Sequence, residues 1–334
     1  MLEIDGSHME GGGQILRTAV GLSAVSGRPC RITKIRSGRS RPGLRPQHLC
    51  GIEAVARSCG ADLEGAEIDS TEITFRPGNL EPSDRIEVEV GTAGSVTLVL
   101  QGLLIPLSRA SGPTEVEVTG GTHVRWSPVV EYLQHVLAFY LRRMGVELEV
   151  ELLEHGFYPK GGGHIRARIN PRRLEGRDWT ERGEIESVEV WSVATEDLKK
   201  PRVAERQIEG TGVSFDDAHV DYVPSLSTGT SVFILGRASN AVLGASELGE
   251  RGWPAEKVGR SCADKFRRQL RSGACLDEHM ADQILPFLAL AEGESRLSVA
   301  EITDHCRTNM WLIGKFLPTR FDVDEDSRTI TVRV

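Results

Sequence analysis

No stretch of about 18 consecutive apolar residues occurs, so the sequence offers no helix to span a membrane. The opening MLEIDGSHMEGGG is acidic and lacks the apolar segment of a secretory signal, so no export leader is expected. The six cysteines (Cys30, Cys50, Cys59, Cys262, Cys275, Cys306) show no CxxC pair and no zinc-type spacing. They read as reduced thiols of a cytoplasmic protein. The nine histidines include no HxxxH box, so spacing gives no structural zinc site. A basic excess is missing too: 48 Asp and Glu outnumber 40 Lys and Arg, for a net charge of −8. That balance excludes non-specific coating of nucleic acid and confines any polyanion contact to a local site. Hydrophobic content of 39% with 26% charged residues describes an ordinary soluble globular chain. Its 334 residues exceed one small core, which predicts a large domain with an insertion or a second domain.

Against this background one stretch stands apart. Arg28 to His48, RPCRITKIRSGRSRPGLRPQH, holds seven basic side chains (Arg28, Arg31, Lys34, Arg36, Arg39, Arg41, Arg45) and no Asp or Glu. Guanidinium groups bind phosphate oxygens in pairs, and a loop with Gly38 and Gly43 lets backbone N–H groups approach as well. The basic residues alternate with Gly, Ser and Pro rather than with Glu, which favours phosphate binding over a solvated charged face.

Glycine punctuation divides the chain into recurring blocks. QILRTAVGLSAVSG reads as an apolar-striped helix closed by Gly27, followed by a strand RITKIR, the Arg/Gly loop and a helix QHLCGIEAVARSCG. Two strands, around ADLEGAEI and TEITFRP, end the block. The order returns with a helix SVTLVLQGLLIPLSRASG, a strand TEVEVT, a loop GGTHVRWSP and a helix VVEYLQHVLAFYLRRMG. VELEVELL and HIRARI then flank the loop HGFYPKGGG. A third block runs through HMADQILPFLALAEG, RLSVAEI, a loop TDHCRTN, a helix MWLIGKFL and the strands TRFDVD and RTITVRV. The helix starts fall near residues 14, 94 and 278, so the second interval is much the longer. It holds an inserted small α/β module at 184–274, with strands near IESVEVWSV and SVFILGR and helices near VAERQIEG and AEKVGRSCADKFRRQL. The repeat domain is then 1–183 with 275–334.

Equivalent loops follow the first strand of each block. They carry Arg36, Arg39 and Arg41 in the first, Thr122, His123 and Arg125 in the second, and His305 with Arg307 in the third. Pseudo-symmetry predicts that the three meet in one cleft. His305, in the polar loop DHCRTN, is the candidate nucleophile, because imidazole attacks phosphorus well once a neighbour fixes its tautomer. Cys306 is its rival, with nothing to mark it as a lowered-pKa thiol. Glu10, before the GGG run, could cap a helix or hold a divalent metal. HGFYPKGGGH is not a Walker A motif, since Lys160 precedes the glycines and no GK[ST] follows, and it reads as a Gly-rich hairpin.

Together EGGGQILR, IRSGRSRPGL, GTAGSVTLVLQ, HGFYPKGGG, MADQILPFLALA and HCRTNMWLIGKFLPTRF resemble the RNA 3′-terminal phosphate cyclase family, in order and over nearly the whole chain. The resemblance implies an α/β (α+β) fold of three repeats like the C-terminal domain of translation initiation factor 3, with a thioredoxin-like insertion. It implies ATP-dependent conversion of an RNA 3′-phosphate to a 2′,3′-cyclic phosphate through a histidine–AMP adduct and an RNA-(3′)pp(5′)A intermediate. His305 then matches the nucleophile, and Gln101 with His279, Met280, Ala281, Asp282 and Gln283 matches the ATP-binding positions. Glu10 matches the metal-linked carboxylate, for Mg or Mn. Arg17, Arg36, Arg39 and Gln47 match phosphate and nucleotide contacts. The implied partners are RNA 3′-phosphate ends, with a homodimer as a further candidate and no membrane. Two departures are His279, where relatives often carry Tyr, and SHM before EGGG, where relatives often carry an additional glycine.

Competing readings are a non-catalytic cyclase-like factor of RNA processing, an enolpyruvyl transferase and an RNA-binding module. The presence of His305 disfavours the first. The second predicts six repeat units where the sequence shows three. The third leaves the His305 neighbourhood without a purpose.

Overall fold

The computed structural model describes residues 1–80 and 84–334. The first block folds as β1 (Leu2–Asp5), α1 (Gly13–Ser26), β2 (Cys30–Thr33), α2 (Pro46–Ser58), β3 (Asp62–Glu64) and β4 (Ile73–Arg76), in a sheet ordered β1-β2-β4-β3. The second gives β5 (Arg85–Glu89), α3 (Val96–Leu107), β6 (Thr114–Gly120) and then a continuous helical run. That run comprises α4 (Val130–Tyr132), a π-helical turn Leu133–Leu137 and α5 (Ala138–Met144). β7 (Val146–Glu154) and β8 (Gly163–Pro171) complete a sheet ordered β5-β6-β8-β7.

A two-residue strand β9 (Asp178–Trp179) precedes β10 (Ile185–Thr195), α6 (Val203–Thr211), β11 (Asp217–Val223), β12 (Thr230–Ala238), β13 (Val242–Leu248) and α7 (Ala255–Ser272). After them come α8 (Met280–Leu288), β14 (Glu294–Ser298), α9 (Asp304–Phe316), β15 (Arg320–Asp324) and β16 (Thr329–Arg333). β9 crosses the intervening elements to pair in parallel with β14, giving the order β9-β14-β16-β15. In each of these three sheets the leading strand is parallel to the next, and the remaining pairs are antiparallel. The fourth sheet, β11-β10-β12-β13, draws only on strands between β9 and α8.

Two apolar clusters follow. The large one takes the inner faces of α1, α3 and α8 with all three similar sheets, and the small one joins Val190, Val232, Ile234 and Leu243 to Val258, Cys262 and Phe266. β12 lies between the two. Val232 and Ile234 face the small cluster while Phe233 and Leu235 face the large one, as its unbroken apolar run requires of a strand covered on both sides.

Several elements depart from expectation. RITKIR stops being a strand at Thr33, because Lys34 and Arg36 take the left-handed region, at φ 51° and 53°. α3 and α8 end well short of Gly112 and Gly293, each within two residues of a proline (Pro106, Pro286). TDHCRTN is not a loop. Thr303 caps α9, its hydroxyl accepting from the Cys306 N–H at 3.2 Å, so His305 lies in the first helical turn. Among the described residues no helix is long and apolar enough to cross a membrane.

Candidate active site

The site is built where the start of α1 meets α8 and the start of α9. The glycines at the start of α1 leave room for two side chains. A Cβ on Gly12 would lie 2.2 Å from Glu10 Oε2, and one on Gly13 would lie 2.5 Å from His48 Nε2. Bare backbone therefore lets Glu10 and His48 close over the helix start. Glu10 does not cap α1, whose N-cap is Gly12 with no side-chain bond. It instead pairs with Arg39.

Gln14, in the first turn of α1, joins the two later helices. Its Nε2 donates to Asp282 Oδ2 at 2.7 Å, and its Oε1 lies 2.6 Å from His305 Nδ1. With the amide nitrogen committed to a carboxylate, the amide oxygen faces the imidazole, so Nδ1 carries the proton. Nε2 is left with its lone pair, and among the described residues it has no hydrogen-bond partner. The His305 side chain is 47% exposed. Burial and the cations Arg17, His279 and Arg39 push its pKa below the ordinary imidazole value, which keeps the ring neutral.

Asp282 is half-buried on the wall of a cleft. Burial drives its pKa up to about 7 even though Arg17 opposes the rise. Asn309 Nδ2 holds the Asp282 carbonyl at 2.7 Å and so fixes α8 against α9. Cys306 is wholly buried, and burial pushes its thiol up to about 12, which disfavours it as a nucleophile. His48 is driven down to about 3 by burial beside Arg17, Arg36 and Arg45. It is a neutral ring accepting the Arg45 N–H at 3.1 Å.

A cleft opens beside this network, lined by Gln14, Arg17, Gln101, Asp282 and Gln283 over an apolar floor that includes Phe287. Gln101 Nε2 donates to Gln283 Oε1 at 2.6 Å, and Gln283 Nε2 donates to the His279 carbonyl at 2.9 Å. His279 is largely exposed at the head of α8. Met280 and Ala281 are wholly buried core residues, and the Met280 N–H is held by Asp277 Oδ1 at 2.9 Å. Gln47 lies apart, accepting the Ser95 N–H at 2.9 Å ahead of α3.

The basic stretch is mostly spoken for within the fold. Arg31 pairs with Glu72, Lys34 with Asp5, Arg45 with Asp69 and Arg39 with Glu10. Arg28 binds the carbonyls of Lys315 and Phe316, and Arg36 turns back to those of Arg41 and Gly43. Its acidic partners lie far away in sequence, which is why the stretch reads as unneutralised. Among the described residues only the Arg41 side chain has no such contact. The three-loop convergence is also only two-thirds realised. Arg39 and His305 meet through Glu10, whose Oε2 is 3.9 Å from His305 Nδ1. Thr122 and His123 instead join Gly156 and Glu131, and Arg125 pairs with Glu250.

Glu10 Oε2 is buried and has no hydrogen-bond partner among the described residues. A desolvated carboxylate oxygen without a donor is costly, and a hard divalent cation would satisfy it. Mg²⁺ is commonly held by one or two carboxylates plus waters and phosphate oxygens, so a single glutamate fits that ion. Gln14 is the functional residue missed in the sequence. Its signal was slight: a polar side chain following GGG on an otherwise apolar helix.

A family model described as RNA 3′-terminal phosphate cyclase matches residues 8–323. A Methanopyrus kandleri protein of that name is 45% identical over 350 residues, covering 100% of this chain and 99% of its own. A Pyrococcus abyssi protein of the same name is 41% identical over 336 residues, covering 97% and 95%. The enolpyruvyl transferase NikO of Streptomyces tendae shares 14% identity at a TM-score of 0.26, over 51% of this chain and 33% of its own, too little to bear on the fold. With the match running from before the glycine run to beyond α9, the chain belongs to the RNA 3′-terminal phosphate cyclase family.

Proposed function

We propose that this protein converts an RNA 3′-terminal phosphate to a 2′,3′-cyclic phosphate at the expense of ATP, with His305 as covalent nucleophile. The observation that carries the proposal is the Asp282–Gln14–His305 relay, which fixes the proton on Nδ1 and leaves Nε2 free. The Nε2 lone pair attacks the α-phosphorus of ATP. A phosphorus–nitrogen bond forms, the bond to the bridging oxygen breaks, and pyrophosphate leaves. Gln14 and the nearby Glu10 carboxylate stabilise the Nδ1–H as the ring gains charge. An oxygen of the RNA 3′-phosphate then displaces His305 from the AMP phosphorus, giving RNA-(3′)pp(5′)A. The vicinal 2′-OH, which DNA lacks, attacks the 3′-phosphorus, loses its proton and expels AMP.

In this reading Gln101, Gln283 and the His279–Ala281 segment at the head of α8 form the nucleotide-binding wall, and Asp282 orients Gln14. Arg17 and Arg39, with Arg36 and Gln47 further out, receive phosphate charge. Arg39 would exchange Glu10 for phosphate, and a divalent Mg or Mn ion at Glu10 would neutralise developing charge. Residues 1–183 and 275–334 form the catalytic repeats, like the C-terminal domain of translation initiation factor 3. The 184–274 segment is a thioredoxin-like insertion. The expected setting is the cytoplasm, with RNA 3′-phosphate ends as partners and a second copy of the chain as a candidate.

Covalent labelling tests the reading. Incubation with α-³²P-ATP and Mg²⁺ or Mn²⁺ should yield an acid-labile, base-stable adenylate that His305→Ala lacks. Label persisting in His305→Ala would move the nucleophile elsewhere. A folded wild type that takes no label would leave a non-catalytic RNA-processing factor.

A further inference from the structure

Away from the cleft, at the edge of the second sheet, three segments bring together two imidazoles and a carboxylate. His123 follows β6, Glu131 lies in the short helix α4, and His155 begins the HGFYPKGGG hairpin after β7. One potential ligand atom from each lies within 4.8 Å of the others. HxxxH spacing does not reveal the set, because the fold rather than a single helix assembles it.

The set has the supporting contacts of a metal site. His123 Nδ1 lies 2.8 Å from Thr122 Oγ1, which also accepts the Gly156 N–H at 2.8 Å. That contact fixes the ring and turns Nε2 toward Glu131, 3.0 Å from each carboxylate oxygen. Both side chains are almost wholly buried. A nitrogen set evenly between two desolvated carboxylate oxygens needs a positive centre between them, a proton or a metal ion. A proton alone would account for that pair and leave His155 without a role.

His155 supplies the second indication. Its ring stacks beside that of His123 at 5.3 Å, and among the described residues neither of its nitrogens has a hydrogen-bond partner. Phe157 covers the other side of the cluster, stacking on His123 at 5.2 Å.

We propose that His123, Glu131 and His155 bind a zinc ion, with water as the fourth ligand, pinning the HGFYPKGGG hairpin to α4 and the 121–128 loop. Two imidazole nitrogens and a carboxylate are a preferred zinc donor set. Bonds of about 2.0–2.2 Å require the three ligand atoms to draw closer. His155, only half-buried, is the ligand with freedom to turn inward. The ion would anchor one end of a hairpin whose other side packs on Thr92 and Ala93.

Zinc itself is the probe. Full-length protein is stripped with EDTA, reloaded with ZnCl₂, dialysed and assayed for metal by mass spectrometry, with Co²⁺ substitution to report tetrahedral coordination by its visible absorption. The wild type should retain one zinc per chain and melt at a higher temperature with it. His155→Gln should lose both effects. Thr122→Val, which removes the contact on Nδ1 and the hydroxyl's bonds to Gly156 but no ligand, should weaken retention by about 10–100-fold. Glu10→Gln should retain zinc fully, separating this site from the cleft. Should His155→Gln fail to fold, Thr122→Val still decides. Wild type that holds no zinc, or zinc held equally by a folded His155→Gln or by Thr122→Val, overturns the proposal.

Discussion

At the residue scale the proposed chemistry depends on which nitrogen of His305 is free. Gln14 has no acid–base chemistry of its own, and it acts by presenting an oxygen to Nδ1 while Asp282 holds its nitrogen. Gln14→Ala should leave the protein folded and lower the rate of self-adenylylation by about 10²-fold, the scale of a misplaced reacting group. A rate-limited defect at saturating ATP supports this role, and a wild-type rate in the variant removes it. The pH dependence follows from the lowered His305 pKa. Adenylylation should stay near its plateau as pH falls to about 6.5, the ordinary imidazole value, and decline only below it. Arg39→Ala removes a cation that disfavours the imidazolium, so its acid limb should move upward. A wild-type limb at or above 6.5 contradicts the assignment. Stability shares the sign. Between the folded pKa and about 6.5 the unfolded ring binds more protons, so this contribution weakens as pH falls through that window.

At the scale of elements, local periodicity made the helices legible and long-range pairing stayed hidden. α1 and α2 were readable from their apolar stripes, and Gly27 and Gly145 mark helix ends in the left-handed conformation. β5 was missed although its burial alternates in strand fashion, because the repeats had been parsed from their helices. β9 has two residues and is a strand only through its pairing with distant β14, so no local pattern could reveal it. The α9 start was legible but unread: Thr303 followed by Asp304 is a helix-start signal. Thr303→Ala should cost about 1 kcal/mol, lowering Tm by no more than about 4 °C in a thermal melt. The α6–α7 contact is a harder constraint. A Cβ on Gly259 would stand 1.9 Å from the Gln207 carbonyl oxygen, which α6 cannot withdraw without leaving α7. Gly259→Ala should therefore cost about 1–3 kcal/mol in urea unfolding, and an unchanged midpoint would mean the helices have slack.

For the whole molecule, electrostatics limits how the protein can meet RNA. The basic stretch reads as a local phosphate-binding segment, yet four of its seven cations are paired with Glu72, Asp5, Asp69 and Glu10, and the chain carries −8 overall. On the proposed reading, such a molecule would disfavour a long phosphate backbone and take a terminal phosphate where Arg17, Arg39 and a divalent ion would converge. Each phosphate neutralised on a single strand contributes about −0.7 to the slope of log K against log salt. Two or three contacts at the RNA end therefore predict a slope near −2, in place of the steep dependence of a coating protein. Affinity should also be nearly independent of oligonucleotide length and should fall when the 3′-phosphate is removed. Fluorescence anisotropy with 3′-phosphorylated and 3′-hydroxyl RNAs of increasing length, titrated with KCl at fixed Mg²⁺, measures all three. A slope steeper than about −4, or affinity growing with length, would place an extended RNA track outside the cleft and transfer the weight of recognition from the 3′ end to the surface.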